Sequence, residues 1–207
     1  PAHRSYLQSN GANLAPFLLA LRLEDPVAWR RIESWVHLVA PVVQRLDPVL
    51  VGPRAVPTDE LDAEKLATSY TDVPVRLDWV DERGERFGPA ELSDGTLRAI
   101  ALFTALGQTA ARRPHLVAID EPELGLHPAA IDVLCSVLGT TADAGQVLLA
   151  TQSPRIIDAF DAKAVRVVGR EDGATTVRPV DEEGLQHWLD DYTVSQLVDM
   201  NVIGGRP

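Results

Sequence analysis

The amino-acid sequence predicts an α/β fold with a mostly parallel sheet flanked by helices and preceded by a helical N-terminal segment. Two apolar runs, at 115–120 and 146–151, have the length and continuity of strands that are covered on both faces. They alternate with helical patterns at about 94–111 and 128–141, and this alternation is typical of a parallel sheet.

Composition excludes several classes of protein. The 207 residues are 45% hydrophobic and 24% charged, which is ordinary for a globular chain. The net charge of −11 excludes a generally basic surface for a nucleic acid or an anionic membrane. Cys135 is the one cysteine, which excludes a disulfide scaffold and predicts a cytoplasmic protein. No apolar run approaches the roughly 18 residues of a membrane span.

Residues 1–72 are expected to form a mainly helical segment and a linker. Helices are predicted over 12–23 and 26–40, with Asp25 as the N-cap of the second helix. The stretch 47–62 is rich in proline and aspartate, so we predict a loop or linker there.

Residues 73–207 are expected to form the α/β lobe. Besides the two strands and two helices above, it contains segments with weaker patterns. They are a hairpin of 73–80 with 85–88, helices at 154–160, 181–190 and 193–199, and strands at 164–168 and 175–180.

Two adjacent carboxylates, Asp120 and Glu121, follow the first buried strand. Ligands of open α/β sheets bind at the carboxyl ends of the strands. An aspartate there can hold hydrated Mg²⁺ beside a nucleotide phosphate, and the next carboxylate can polarise an attacking water. The alternative is that Asp-Glu-Pro begins a solvated turn.

Three further motifs have both a functional and a structural interpretation. Ser93, Gly95 and Thr96 open a helix whose N–H groups attract anions, or they form an ordinary cap. Gln152 could reach a phosphate oxygen or a water, while Ser153-Pro154 could begin a helix. Gly125-Leu126-His127 could be a plain loop before Pro128.

The order and spacing of these motifs resemble the C-terminal half of an ABC-type ATPase head, most closely the SMC/RecF/OLD-like group of AAA-family ATPases, built on the P-loop NTPase fold. The resemblance is carried by Asp120-Glu121-Pro122-Glu123-x-x-Leu126-His127-Pro128 and by Thr151-Gln152-Ser153-Pro154. Ser93-Asp94-Gly95-Thr96 precedes them at the start of a helix.

The resemblance implies an ATPase that uses ATP and Mg²⁺ and works as a homodimer or with an equivalent second head. Residues Ser93, Gly95 and Thr96 would form the signature motif, which contacts ATP bound to the partner. Gly125 and His127 would lie in the D-loop, which crosses the dimer interface.

The same resemblance implies the roles of the remaining site residues. Asp120 would be the Walker B residue that holds Mg²⁺ through water, and Glu121 would be the general base. Gln152 would occupy the switch position that senses the γ-phosphate. Transporters have histidine there, and glutamine cannot carry a proton charge. Asp94 also departs from the glycine of the usual signature, and its carboxylate disfavours a nearby phosphate.

The phosphate-binding Walker A loop, Gly-x-x-x-x-Gly-Lys-Ser/Thr, does not occur in the sequence. The only lysines are Lys65 and Lys163, and neither follows a glycine. We therefore expect the loop to lie in a segment upstream of Pro1 or in a partner chain. An effector domain or subunit would complete the protein.

A rival interpretation is a degenerate head that dimerises or regulates a partner without hydrolysis. A nuclease would need a further carboxylate cluster, and 181–183 are instead predicted to be charges at a helix N-terminus. DNA contact is possible but not supported by charge, because Arg30-Arg31 and Arg112-Arg113 are expected to lie on solvated helix faces.

Overall fold

The computed structural model describes residues 6–52, 73–109, 111–142 and 145–204, except for the side chain of Glu182. Seven α-helices lie in this part of the chain: α1 Leu14–Glu24, α2 Pro26–Val39, α3 Asp94–Leu106, α4 Pro128–Ala142, α5 Pro154–Ile157, α6 Glu182–Leu189 and α7 Val194–Asp199. It also contains seven strands: β1 Arg45–Leu50, β2 Val75–Val80, β3 Arg86–Phe87, β4 Leu116–Asp120, β5 Gln146–Ala150, β6 Arg166–Glu171 and β7 Ala174–Pro179. None of the described helices is long and apolar enough to cross a membrane.

The predicted α/β class is confirmed, and the described strands form three small sheets. The sheet β1-β2-β3 and the hairpin β6-β7 are antiparallel, while β4 pairs with β5. The predicted mostly parallel arrangement therefore holds for β4-β5 alone among the described strands. Antiparallel neighbours that are close in the chain need only short turns, as at Asp81–Gly84 and Asp172–Gly173.

Strand β1 corrects the prediction of a loop beginning at residue 47. Pro48 weakened the strand pattern, because proline cannot donate to a ladder. In the structure β1 is the edge strand of its sheet, where a missing N–H is tolerated. The rest of the predicted linker, from residue 53, lies outside the described residues.

The chain divides into two compact units, which are described separately below. Unit 1 comprises residues 1–119 and 124–148, and unit 2 comprises 120–123 and 149–207. The predicted division after residue 72 falls at the end of a stretch that the structure does not describe, and the units divide the chain at other places.

Unit 1 has a core formed by helices α1 to α4 against strands β1 and β2. Its largest fully buried side chains are Phe17, Leu18, Leu19, Leu21, Ile32, Leu46, Ile100, Phe103, Leu106, Leu134 and Leu138. Each such side chain contributes about 1.5–3 kcal/mol through burial. Helix α3, which begins at the predicted signature, is thus fixed by its buried face.

Two buried aspartates lie directly opposite each other on β1 and β2. Asp47 and Asp78 are each 2% exposed and are register partners. Arg86 contacts Asp47 at 2.6 Å, and Arg76 binds Asp78 through Nε at 2.6 Å. Arg22 reaches Asp47 at 3.1 Å. These guanidinium groups compensate two like charges that would otherwise repel across the strands.

The start of α2 has the predicted cap. The Asp25 carboxylate accepts from the Ala28 N–H at 3.1 Å, and Pro26 occupies the first turn. The Thr109 hydroxyl donates to the same carboxylate at 2.7 Å. Burial acts to raise the pKa of Asp25, but the hydrogen bonds from Thr109 and Ala28, with two nearby arginines, lower it overall.

Unit 2 has a smaller core around Val167, Val180 and Val194. Helices α5 and α7 contact each other there. The link is polar as well as apolar, because the Asp158 carboxylate accepts from the Ser195 N–H at 2.9 Å and from its hydroxyl at 2.6 Å. This fixes the turn after α5.

The strands β4 and β5 are less buried than their apolar sequences predicted. Leu116 is 52% exposed and Leu148 is 60% exposed, and exposure alternates along both strands. The prediction of strands covered on both faces is therefore wrong for the described part of the chain. Apolar content indicates that a face can be covered, but it does not identify the covering element.

Candidate functional site

The carboxyl ends of β4 and β5 lie side by side. Gln146 N–H donates to the His115 carbonyl at 3.0 Å where the strands begin, and Glu121 N–H donates to the Ala150 carbonyl at 2.8 Å where they end. Since both bonds advance in the same direction along the chain, the strands are parallel. The loops that follow them consequently leave from the same edge, as the sequence predicted.

The two predicted carboxylates stand at that edge. Asp120 is exposed as the last residue of β4, and Glu121 is half-buried. Glu121 has φ +44°, in the left-handed region that side chains larger than Asn or Asp seldom adopt. Such a backbone costs of order 1–3 kcal/mol, so the surrounding bonds must hold it. The bond from Glu121 N–H to Ala150 is one of them.

The loop after β5 is tied to the loop after β4 by side chains of unit 2. Thr151 Oγ1 donates to Glu123 Oε1 at 2.6 Å and accepts from the Ser153 N–H at 3.0 Å. Sequence reasoning did not single out Glu123 or Thr151 as site residues. Both were present in the motifs, but only their contact across 28 residues of chain reveals the pair.

Gln152 lies between the two tied residues of this loop. Its side chain is exposed. Ser153 begins the four-residue helix α5 through its carbonyl, which accepts from Ile156 and Ile157, while its hydroxyl makes no capping bond. Within unit 2 the structure thus brings Asp120, Glu121 and Gln152 to one rim of the β4-β5 pair.

The predicted signature lies in unit 1, at the start of α3. The Ser93 hydroxyl accepts from the Thr96 N–H at 3.1 Å and lies 2.9 Å from the Thr96 hydroxyl. Ser93 is therefore the N-cap of α3, which was the structural alternative that the sequence offered for this motif. It remains exposed, with Asp94 in the first turn.

The first turn of α3 touches the predicted D-loop through two glycines. A Cβ on Gly95 would lie 2.0 Å from the Gly125 carbonyl oxygen, and Gly125 has φ +77°. The Arg98 Nη1 also lies 3.5 Å from the Leu124 carbonyl. The backbone that approaches Gly95 in this chain is thus that of the D-loop segment.

His127 ends this segment with an exposed ring. Its Nδ1 accepts from the Ala129 N–H at 3.2 Å, and its carbonyl accepts from Ala130 at 2.8 Å as α4 begins. Because Nδ1 is an acceptor, the neutral ring carries its proton on Nε2, which leaves a donor directed away from the capping bond. Within unit 1 the structure joins Ser93, Gly95 and Thr96 to Gly125 and places His127 two residues further along.

The carboxylates of unit 2 fit magnesium in their chemistry. Mg²⁺ in nucleotide sites is held by one or two carboxylates, with water and substrate phosphate completing the coordination. Asp120 is an exposed carboxylate of this kind, and the described residues contain no group of three or more His, Cys, Asp or Glu that could hold a metal by themselves. Asp120 could therefore supply one ligand of the ion, with water and phosphate as further ligands.

A known protein family matches the central part of the chain. The AAA_21 family, described as "AAA domain, putative AbiEii toxin, Type IV TA system", matches residues 43–158, which is more than half of the chain. The chain belongs to this family. The matched range includes Ser93, the carboxylate pair and Gln152. A search of curated proteins returned no match.

Solved structures agree with the family assignment at the level of fold. The SMC head bound to the C-winged helix domain of ScpA has a TM-score of 0.57 and 13% identity, over 77% of this chain and 44% of that one. The Pyrococcus yayanosii Smc head domain with its coiled coil and joint has a TM-score of 0.57 and 12% identity, over 88% and 31%.

A third structure, from work on ATP-driven dimerization and DNA-stimulated activation of SMC ATPases, has a TM-score of 0.53 and 11% identity, over 80% of this chain and 91% of that one. The chain thus spans less than half the length of the first two structures and most of the third. The resemblance to SMC-type heads that the motifs predicted is confirmed at the level of the fold.

Proposed function

We propose that this chain is the signature-to-switch part of a Mg²⁺-dependent ATPase that hydrolyses ATP at a head-to-tail dimer interface. The observation that supports it most is the shared rim of β4 and β5, where the carboxylates Asp120 and Glu121 and the amide of Gln152 leave one sheet edge. The family membership supports the choice of ATP as the nucleotide.

Each rim residue has a part in the proposed reaction. Asp120 would hold Mg²⁺, which would offset negative charge on the phosphates. Glu121 accepts a proton from the attacking water. Gln152 donates a hydrogen bond to the γ-phosphate or orients that water, since its amide offers both a donor and an acceptor.

The second half of each active site is proposed to come from a partner head. Ser93, Gly95 and Thr96 contact the ATP held by the partner, and Gly125 and His127 cross the interface. One of the similar SMC structures comes from a study of ATP-driven dimerization, which supports this arrangement. The phosphate-binding loop is supplied from outside this sequence, and the assembly is cytoplasmic.

Turnover of the complete protein with Glu121→Gln tests the proposal. Loss of a general base lowers kcat by about 100-fold while nucleotide affinity remains, because the substituted amide still fits the site. The matched control is Glu183→Gln, the same change at an exposed carboxylate of α6. Unchanged turnover in Glu121→Gln, or an equal loss in the control, contradicts the assigned role.

A second candidate function is a degenerate head that dimerises or regulates without hydrolysis. It is favoured by Asp94, which sits exposed in the first turn of α3, where the proposed phosphate contact would be made. This candidate expects no turnover by the complete wild-type protein and stronger nucleotide-dependent dimerisation in Asp94→Gly. Turnover of ATP by the complete wild-type protein distinguishes the two functions, and sedimentation of Asp94→Gly with and without ATP measures the effect on dimerisation.

A further inference from the structure

A hydrogen-bonded relay connects the loops after β4 and β5. The Thr151 hydroxyl donates a hydrogen bond to Glu123 Oε1 at 2.6 Å and accepts one from the Ser153 N–H at 3.0 Å. The relay therefore holds the residues on both sides of Gln152: the side chain of Thr151 before it and the backbone of Ser153 after it. Gln152 itself is exposed.

The relay restricts Thr151 to one side-chain conformation. A threonine hydroxyl has one donor and two acceptor positions, and here the donor and one acceptor are used at once. The branched Cβ already limits rotation about χ1, so two directed bonds leave little freedom.

Glu123 is a costly choice if the relay serves stability alone. Its Oε2 is buried and has no hydrogen-bond partner among the described residues. Such an atom gives up its hydration without compensation, and a buried orphan of this kind calls for an explanation.

We infer that Glu123, acting through Thr151, is a positioning residue that fixes Gln152 against the carboxylates of the same rim. The relay is the second link between these loops, because Glu121 N–H already bonds the Ala150 carbonyl. With both links in place, the loop that carries Gln152 cannot shift without the loop that carries Glu121. This inference rests on the proposed function.

Amide hydrogen exchange at Ser153 tests the relay without nucleotide. Thr151→Val keeps the shape of the side chain but removes the acceptor, so exchange of the Ser153 amide rises about tenfold. Thr151→Ser restores protection. Thr176→Val is the matched control, because the Thr176 hydroxyl is buried without a partner among the described residues. Unchanged exchange in Thr151→Val, or faster exchange at all amides, overturns the inference.

A double-mutant cycle in the complete protein tests the link to Gln152. Thr151→Val lowers kcat about fivefold and leaves the KM for ATP unchanged, because it misplaces a group needed in the transition state. In the Gln152→Ala background the same substitution causes no further loss. Glu123→Ala behaves like Thr151→Val, and Glu123→Gln retains most of the activity because its amide oxygen still accepts.

The outcomes separate this inference from the proposed function. Additive losses in the cycle overturn the positioning role, since the relay would then act by a route other than Gln152. If Glu121→Gln leaves turnover unchanged, the proposed function fails. In that case the exchange at Ser153 still decides whether the relay orders this loop.

Discussion

The contact between Gly95 and Gly125 leads to a stability prediction that opposes ordinary helix propensity. Alanine normally improves a helix by up to about 1 kcal/mol over glycine. At Gly95 the new methyl carbon would lie 2.0 Å from the Gly125 carbonyl oxygen, where ordinary contacts begin at 3.4 Å. The two backbone segments would have to separate by about 1.4 Å.

The expected net effect of Gly95→Ala is a loss of about 1–2 kcal/mol in the free energy of unfolding. Forced displacement of packed backbone costs about 1–3 kcal/mol, and only part of this is offset by the gain in propensity. Gly139→Ala in α4 is the matched control. A Cβ there meets nothing within 4 Å, so that variant should gain about 0.5–1 kcal/mol.

Urea unfolding followed by tryptophan fluorescence measures both variants. Trp188→Phe serves as the background, because Trp188 is the one tryptophan of unit 2 and the other three then report on unit 1. The two glycine variants should shift the midpoint in opposite directions with the same slope. A gain in stability for Gly95→Ala refutes the assigned contact between the start of α3 and the Gly125 segment.

Two carboxylates, Asp25 and the half-buried Glu33, predict opposite dependences of stability on pH. Because the pKa of Asp25 is lowered, its stabilising contribution is present above its usual value of 3.8 and is lost as the pH falls through the folded pKa. The loss in free energy of unfolding caused by Asp25→Asn should therefore become smaller in acid. Burial raises the pKa of Glu33 above its usual value of 4.5 by more than the hydrogen bond from the Leu46 N–H lowers it. The contribution of Glu33 to the free energy of unfolding is therefore present below pH 4.5 and is lost as the pH rises. The stability of Glu33→Gln relative to wild type should consequently increase as the pH approaches neutrality. Urea midpoints between about pH 3 and pH 7 check both, and parallel profiles for the two variants would contradict the assignment.

Features set by neighbouring residues were predictable from the sequence. Asp25 and Pro26 mark the start of α2 because a cap needs only residues within one turn. The motif at Asp120-Glu121 was likewise readable, since an apolar run followed by polar residues marks the end of a strand. The same local logic explains why the bounds of α4 and β5 were close to those observed.

Features that depend on contacts between distant residues were not predictable. A strand through Asp47 and Pro48 looks unfavourable until Arg86, a distant residue of β3, neutralises the buried carboxylate. Glu123 and Thr151 belong to two of the sequence motifs, yet the hydrogen bond between them depends on how β4 and β5 are paired. Gly95 lacks a side chain, but nothing in its own segment indicated that the backbone of Gly125 would occupy that space.

Two departures from local rules lie in the segments that the motifs marked for function. Three described residues other than glycine have positive φ, and two of them, Asp172 and Asn201, are of the types that tolerate it in turns. Glu121 is the exception by residue type, and two positions later Glu123 leaves a buried oxygen without a partner among the described residues. Sequences tend to agree with their fold at every level except where function requires otherwise. The strain at Glu121 and the uncompensated atom at Glu123 are what the proposed catalysis at this rim would account for, whereas stability alone would favour glycine at position 121.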